Sequence, residues 1–201
     1  MSFFLFVTPV SEVRVLSGLF VHTLLIMQWY YLNMIRSVVK RGNPLLNMPS
    51  KEIVDIYEAK GLITDLWDTL TVIQSLYDFR RGSGIAAPQI GELWRANAVE
   101  FNGERYTLIN PYISEHSEEE ILVSEGCLSF FDYRGKALRY ADVVVSALDE
   151  NGKPFTISSE GDPNLSSLLQ HELDHLDGVL YESRLGGIEQ LVHHPQMPPI
   201  P

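Results

Sequence analysis

The stretch Gln170–Tyr181, QHELDHLDGVLY, constrains this chain more than any other. Its two histidines stand four residues apart with a glutamate after the first. On a helix both imidazoles then lie on one face and can share a metal ion, while the glutamate reaches a water on that ion rather than the ion itself. The segment carries helix punctuation: Asp162 reads as the N-cap, Pro163 as the first helical residue and Gly178 as the stop. At about 100° per residue, Leu165, Leu168, Leu169, Leu173 and Leu176 make one apolar stripe flanked by His171 and His175. Glu172 falls between the stripe and His175, and partial desolvation there moves a carboxylate toward a pKa at which it takes and returns a proton. The bare pattern also occurs on solvated helix surfaces, and two ligands do not close a site. A catalytic zinc or iron takes three protein ligands and keeps a position open. Cys127, within EGCLS, is the obvious third; Glu189 and His193 are its rivals, and either of them would make the protein a zinc peptidase.

Composition bounds the partners. With 201 residues, 45% hydrophobic and 20% charged, the chain has the makings of one domain with a substantial core. A net charge of -11 with scattered Lys and Arg argues against direct, sequence-specific nucleic-acid binding and against an anionic membrane. A basic or neutral small substrate fits better. The single cysteine, Cys127, cannot form an internal disulfide, which favours a reducing compartment and leaves the thiol for a metal.

Residues 1–33 differ from the rest, with only Glu12 and Arg14 as charges. Val15 to Tyr31 is uncharged and as long as a short membrane span, yet it contains Ser17, His22 and Gln28 and lacks a basic n-region. One arginine is too few for a transit peptide. The expectation is a dispensable extension ahead of a start at Met34, with an anchor, a targeting segment or a structural helix as alternatives. Residues 34–190 would form the catalytic domain and 191–201 an unstructured Pro-rich tail.

Between these ends, GNP (Gly42 to Pro44) reads as a loop, and Ser50 as an N-cap with Glu52 in the first turn. Apolar residues at threes and fours from Ile53 to about Phe79 predict one broken or two consecutive helices, interrupted at Gly61. Gly82 to Gly91, GSGIAAPQIG, reads as a glycine-punctuated loop. Strand-like runs follow at Ala96–Val99 and Tyr106–Ile109, and Asn151-Gly152 sits between alternating runs as a hairpin turn.

Three segments in order, GSGIAAPQIG, EGCLS (Glu125 to Ser129) and QHELDHLDG (Gln170 to Gly178), resemble the signature motifs of the peptide deformylase family. INP at Ile109 to Pro111 and GNPLL from Gly42 add to the likeness. The resemblance implies an α+β fold, with small antiparallel or mixed sheets packed around a central C-terminal helix carrying the His-Glu-x-x-His motif, and an N-terminal helix. It implies Cys127, His171 and His175 as metal ligands, Glu172 as general acid/base, and Gln89 with the backbone N–H of Leu128 as donors to the formyl oxygen. Gly82, Ser83, Gly84, Gly126 and Arg134 match substrate-binding positions, and Glu125 and Asp174 would orient other residues or stand as solvated charges. The implied cofactor is one divalent ion, Fe2+ in the cell, with Zn2+, Ni2+ or Co2+ as alternatives. The implied substrate is an N-formylmethionyl peptide met transiently at the ribosome by a monomer. Its setting is the bacterial cytoplasm, or an organelle if residues 1–33 are a targeting segment. A deformylase-like binding protein without turnover is the reading from a different class. The chain departs from the family pattern after EGCLS, where FFDYRG (Phe130 to Gly135) replaces a small apolar residue followed by Pro. Two rings there would line the cleft or block it, and lining is the expectation because the ligands, acid/base and oxyanion donor are all present.

Overall fold

The computed structural model describes residues 35–77, 79, 82–185 and 191–193. The expectations for the N-terminal extension, Glu189 and residues 194–201 lie outside the described residues. None of the described helices is long and apolar enough to cross a membrane.

The architecture is α+β with antiparallel sheets and two helices. The first helix, α1 (Lys60–Leu76), buries Ile63, Leu66, Leu70 and Ile73. It starts later than its periodicity predicts. Residues 50–53 are held by distant partners instead: Ser50 N–H donates to Leu176 O, Lys51 N–H to Leu93 O, and Ile53 exchanges two hydrogen bonds with the Asn110 side chain. Those backbone groups are unavailable to a helix, so Ser50 is not a cap and Gly61 falls in the first turn rather than at a break.

Five strands form the larger sheet, in the order β1 (Ser83–Ala86), β2 (Ala96–Phe101), β3 (Glu104–His116), β6 (Val143–Leu148), β7 (Pro154–Ser158). Both predicted strands fall within β2 and β3, which continue beyond their predicted ends. The segment read as a loop instead supplies β1 and the short 3-10 turn Ala87–Ile90. The hairpin at Asn151-Gly152 joins β6 to β7, closed by Asp149 N–H to Lys153 O at 2.9 Å. Strand alternation divides the sheet's two faces. Ile85, Ala96, Ala98 and Ile109 pack with α1, while Val99, Phe101, Leu108 and Val145 pack with Leu165, Leu169 and Leu173 of the second helix, α2 (Pro163–Leu176).

The smaller sheet, β4 (Glu120–Gly126), β5 (Tyr133–Tyr140) and β8 (Val192–His193), meets α2 from another side through Ser167, Gln170 and Asp174. Both sheets are antiparallel rather than mixed. Residues 192 and 193, expected to belong to an unstructured tail, pair with Arg134 and Tyr133 as β8.

Candidate active site

Helix α2 begins as its sequence dictates. The Asp162 carboxylate accepts from the N–H groups of Asn164 and Leu165, Pro163 is the first residue, and Gly178 follows the end at φ +71°. Within it His171, Glu172 and His175 are all buried. Cys127 reaches them from the junction after β4, where a 3-10 turn Leu128–Phe130 begins. One donor atom each from Cys127, His171 and His175 lies within 4.8 Å of the others, and Cys127 Sγ stands 3.2 Å from His175 Nε2.

That donor set fits a metal ion. Ligand bonds near 2.1–2.3 Å in a tetrahedral site put donors about 3.5 Å apart, in the range seen here. A thiolate with two imidazoles suits ferrous iron or zinc. His171 Nδ1 lies 2.9 Å from Glu125 Oε2, so with that proton held on Nδ1, Nε2 is the nitrogen left for an ion. The sequence rival His193 sits on β8, packed against Tyr133 at 5.1 Å between ring centroids, outside the cluster.

The surrounding groups are charged and satisfied. Glu125 is buried and accepts from Ser167 Oγ at 2.6 Å and from Arg139 at 2.6 and 3.0 Å. Burial raises its pKa, but the hydrogen bonds from His171 and Arg139 outweigh burial and hold the carboxyl well below the usual range. Arg139, only 2% exposed, also donates to Asp174 at 2.5 Å, and Asp174 takes two further bonds from Arg184. Glu125 and Asp174 are therefore buried partners of one arginine and not solvated charges. The two histidines diverge. Burial lowers both, yet hydrogen bonds to Cys127 and Glu125 raise His171 above its ordinary value, whereas His175 stays well below, with His171 and Arg139 adding to burial.

Glu172 is 3% exposed, and burial pushes its pKa up to about 7. Gly84 of β1 gives it room, since a Cβ at Gly84 would lie 2.5 Å from Glu172 Oε1. Gln89 is buried and oriented by the Ala86 N–H, which donates to its Oε1 at 2.9 Å. Its amide nitrogen thus faces Cys127 Sγ at 3.5 Å and Ser129 Oγ at 3.3 Å. The first bond of the next turn is Phe130 N–H to Cys127 O, so the Leu128 N–H lies ahead of any intrahelical acceptor.

Gln89, Glu125, Cys127, Leu128, His171 and Glu172 line a cavity of about 410 Å³ whose wall also includes Gly82, Ser83, Gly84, Gly126 and Arg134. The Arg134 guanidinium lies over Gly126, where a Cβ would come 2.5 Å from Arg134 Cζ, and donates to the carbonyls of Phe131 and Tyr133. Of the two phenylalanines only Phe131 reaches the wall. Phe130 packs with Leu46, Leu180 and Tyr181. Sequence reading missed Arg139, Ser167 and Tyr181, whose ring stands 5.8 Å from that of His171.

Residues 35–190 match the sequence model of the family described as polypeptide deformylase. The chain belongs to that family. It is 40% identical over 149 residues to a peptide deformylase of Heliobacterium modesticaldum, covering 74% of this chain and 92% of that one. It is 39% identical over 155 residues to peptide deformylase 1 of Bacillus subtilis, covering 75% and 90%. The crystal structure of a peptide deformylase from Legionella pneumophila superposes with a TM-score of 0.68 at 33% identity, over 78% of this chain and 89% of that chain. In this chain the His-Glu-x-x-His helix, the cysteine loop and the glycine-rich strand meet at one cavity.

Proposed function

We infer that this chain is a metal-dependent hydrolase that removes the N-terminal formyl group from formylmethionyl nascent peptides and releases formate. The observation that carries the reading is the meeting of Cys127, His171, Glu172 and Gln89 at one cavity, with His175 completing the ligand cluster behind Cys127 and His171, in a chain of the deformylase family. α2 acts as the central helix around which the sheets arrange these groups.

Cys127, His171 and His175 would hold the ion, Fe2+ being our assignment and Zn2+, Ni2+ or Co2+ its substitutes. Bound there, a divalent ion supplies Lewis acidity and a water acidified to the neutral range. Glu172, poised near neutrality by burial, accepts a proton during attack on the formyl carbon and returns it to the departing amine. The Gln89 amide and the Leu128 N–H donate to the developing oxyanion, and the Ala86 N–H pre-orients the former at no cost during reaction. Glu125 fixes the His171 tautomer. The peptide backbone runs past Gly82, Ser83, Gly84, Gly126 and Arg134, with Phe131 beside it as a lining ring. The catalytic domain spans residues 34–190, acts as a monomer and meets the ribosome transiently.

Formate release from a formyl-Met tripeptide, run anaerobically with Fe2+ and again with Ni2+ or Zn2+, tests the activity. Turnover in the presence of iron or nickel is expected. Elemental analysis of two variants tests the roles: Cys127→Ala should lose the ion, whereas Glu172→Ala should keep it and lose turnover. Full metal retention by Cys127→Ala would remove Cys127 from the ligand set.

A further inference from the structure

Residues 36–41 belong to no helix or strand, yet they are tied to both turns that carry the oxyanion donors. Val39 N–H donates to Gln89 O at 2.8 Å, and Arg41 N–H donates to Ser129 O at 3.0 Å. Gln89 is one donor, and Ser129 follows Leu128, whose N–H is the other. Among the described residues no backbone hydrogen bond joins those two turns directly. The side-chain contact of Gln89 Nε2 with Ser129 Oγ, at 3.3 Å, is just beyond the usual range. This strap of chain is therefore the main-chain link that sets their separation.

The strap is held at both ends. Val38 is buried in the cluster beneath α1 and Val39 packs on the cluster of Cys127, Phe130 and Tyr181, so successive side chains go to opposite sides. Arg36 ties the start to α1, its N–H donating to Thr69 Oγ1 at 3.1 Å and its Nε to Asp65 Oδ2 at 2.8 Å. Arg41 ties the end. Its Nη2 donates to Glu182 Oε2 at 2.6 Å, and its guanidinium carbon lies 5.2 Å from the Phe130 ring centroid and 5.9 Å from that of Tyr133. An exposed ion pair contributes little alone, but a guanidinium seated over two rings as well is confined in orientation. The first residue of FFDYRG thereby acquires a role: Phe130 meets Tyr181 edge-on at 5.2 Å and offers its face to Arg41. An aliphatic residue at 130 would fill the core without offering that face.

Resting on the assignment of Gln89 and the Leu128 N–H as oxyanion donors, we propose that Arg41 is a positioning residue: seated on Phe130 and paired with Glu182, it holds the strap against both turns and fixes the separation of the two donors. Arg41 lies outside the cavity wall and touches no reacting atom. Its effect falls on kcat, because donors held in place stabilise the developing charge without reorganising during reaction.

The test measures formate release from a formyl-Met tripeptide by the metal-loaded parent, Arg41→Gln and Arg41→Lys, each also in a Gln89→Ala background, with metal content and Tm beside it. Displacing a reacting group by about an ångström costs up to about a hundredfold, and loosening the strap is a part of that. We expect Arg41→Gln to lower kcat about tenfold with KM and metal content unchanged and Tm within about 2 °C of the parent. Arg41→Lys keeps a cation over the ring and should recover most of the loss. In the Gln89→Ala background Arg41→Gln should lower kcat about twofold or less, since a separation matters only while both donors are present. An equal fall in both backgrounds, or a kcat that Arg41→Gln does not move, overturns the role of Arg41 while leaving the deformylase reading intact. A fall in kcat matched by loss of metal or of folded protein overturns it likewise. A parent that releases no formate overturns both.

Discussion

Arg139 is the buried charge on which the site's geometry most depends, and Arg139→Met removes it at nearly constant length. The guanidinium joins Glu125 on β4, two residues before Cys127, to Asp174 on α2, between the two histidines. It therefore fixes the cysteine loop against the helix that carries the two candidate histidine ligands. Breaking a buried ion pair by deleting one partner costs about 3–5 kcal/mol, because the remaining charge is left without its counterpart. Here Glu125 keeps Ser167 and His171, and Asp174 keeps Arg184, which places the cost at the lower end, about 3 kcal/mol. For a domain of this size that is a fall in Tm of about 6–12 °C. Metal affinity should fall about tenfold to a hundredfold, as for other groups that orient a ligand from behind. The pH dependence has a definite sign. A carboxyl held below its unfolded value stabilises the fold above about pH 4.5 and loses that contribution as pH falls through its folded pKa. The variant lacks the arginine's share of this contribution, so the Tm gap should be widest near pH 7 and narrow toward pH 3. Thermal unfolding of the metal-free proteins across that range, with chelator competition for affinity, decides the matter. A variant melting within about 2 °C of the parent, with unaltered metal affinity, would refute the reasoning.

Gly84→Ala should lower kcat at least a hundredfold with little change in metal content, because the new methyl carbon would fall 2.5 Å from Glu172 Oε1 and must displace the carboxylate from reacting distance. Stopped-assay kinetics beside elemental analysis check this, and near-parental kcat would mean that Glu172 tolerates the move. A chain starting at Met34 should match full-length kcat/KM, since every residue assigned to the site lies between positions 82 and 175. Loss of soluble, active protein on that truncation would show the extension to be a packed element.

What could be read from the sequence was what is local. The caps of α2, its leucine stripe and the pairing of His171 with His175 depend on residues within one helix, and all stand where the spacing puts them. Cys127 could be named because it is the only cysteine and sits in a recognisable motif. What escaped is held by distant chain. GSGIAA has little intrinsic strand preference and becomes β1 only because β2 pairs with it. Ser50 has the look of a cap, but its backbone is claimed by Leu176 at the far end of α2. Arg139 sits in an alternating strand as any exposed cation would, and its partners lie 14 and 35 residues away. Phe130 and Phe131 looked equivalent, yet the turn after Cys127 sends one to the core and the other to the cavity.

Helix α2 is buried over 11 of its 14 residues although it is not apolar all round. The pattern of its polar contacts separates structure from chemistry. Ser166, Ser167, Gln170 and Asp174 all have partners, whereas within this helix the buried side-chain atoms left without one are Glu172 Oε2 and His175 Nδ1. Native helices rarely leave buried polar atoms unpaired, and Glu172, unlike the similarly unpaired Asp68 Oδ2 of α1, lines the cavity beside Cys127 and His171, so we read its cost as one kept for function. Its size follows from the raised pKa: moving a carboxyl from 4.5 to about 7 destabilises the ionised fold by on the order of 3 kcal/mol. The sign is opposite to that of Glu125. Because the folded pKa lies above the unfolded one, the penalty is absent below about pH 4.5 and complete above about pH 7. Glu172→Met, of similar volume and without the charge, should therefore abolish turnover and raise the Tm of the metal-free protein. The gain should be largest near pH 8 and vanish toward pH 4.5. A methionine variant that melts at or below the parent, with a gap indifferent to pH, would show that Glu172 contributes to packing and does not carry a cost retained for catalysis.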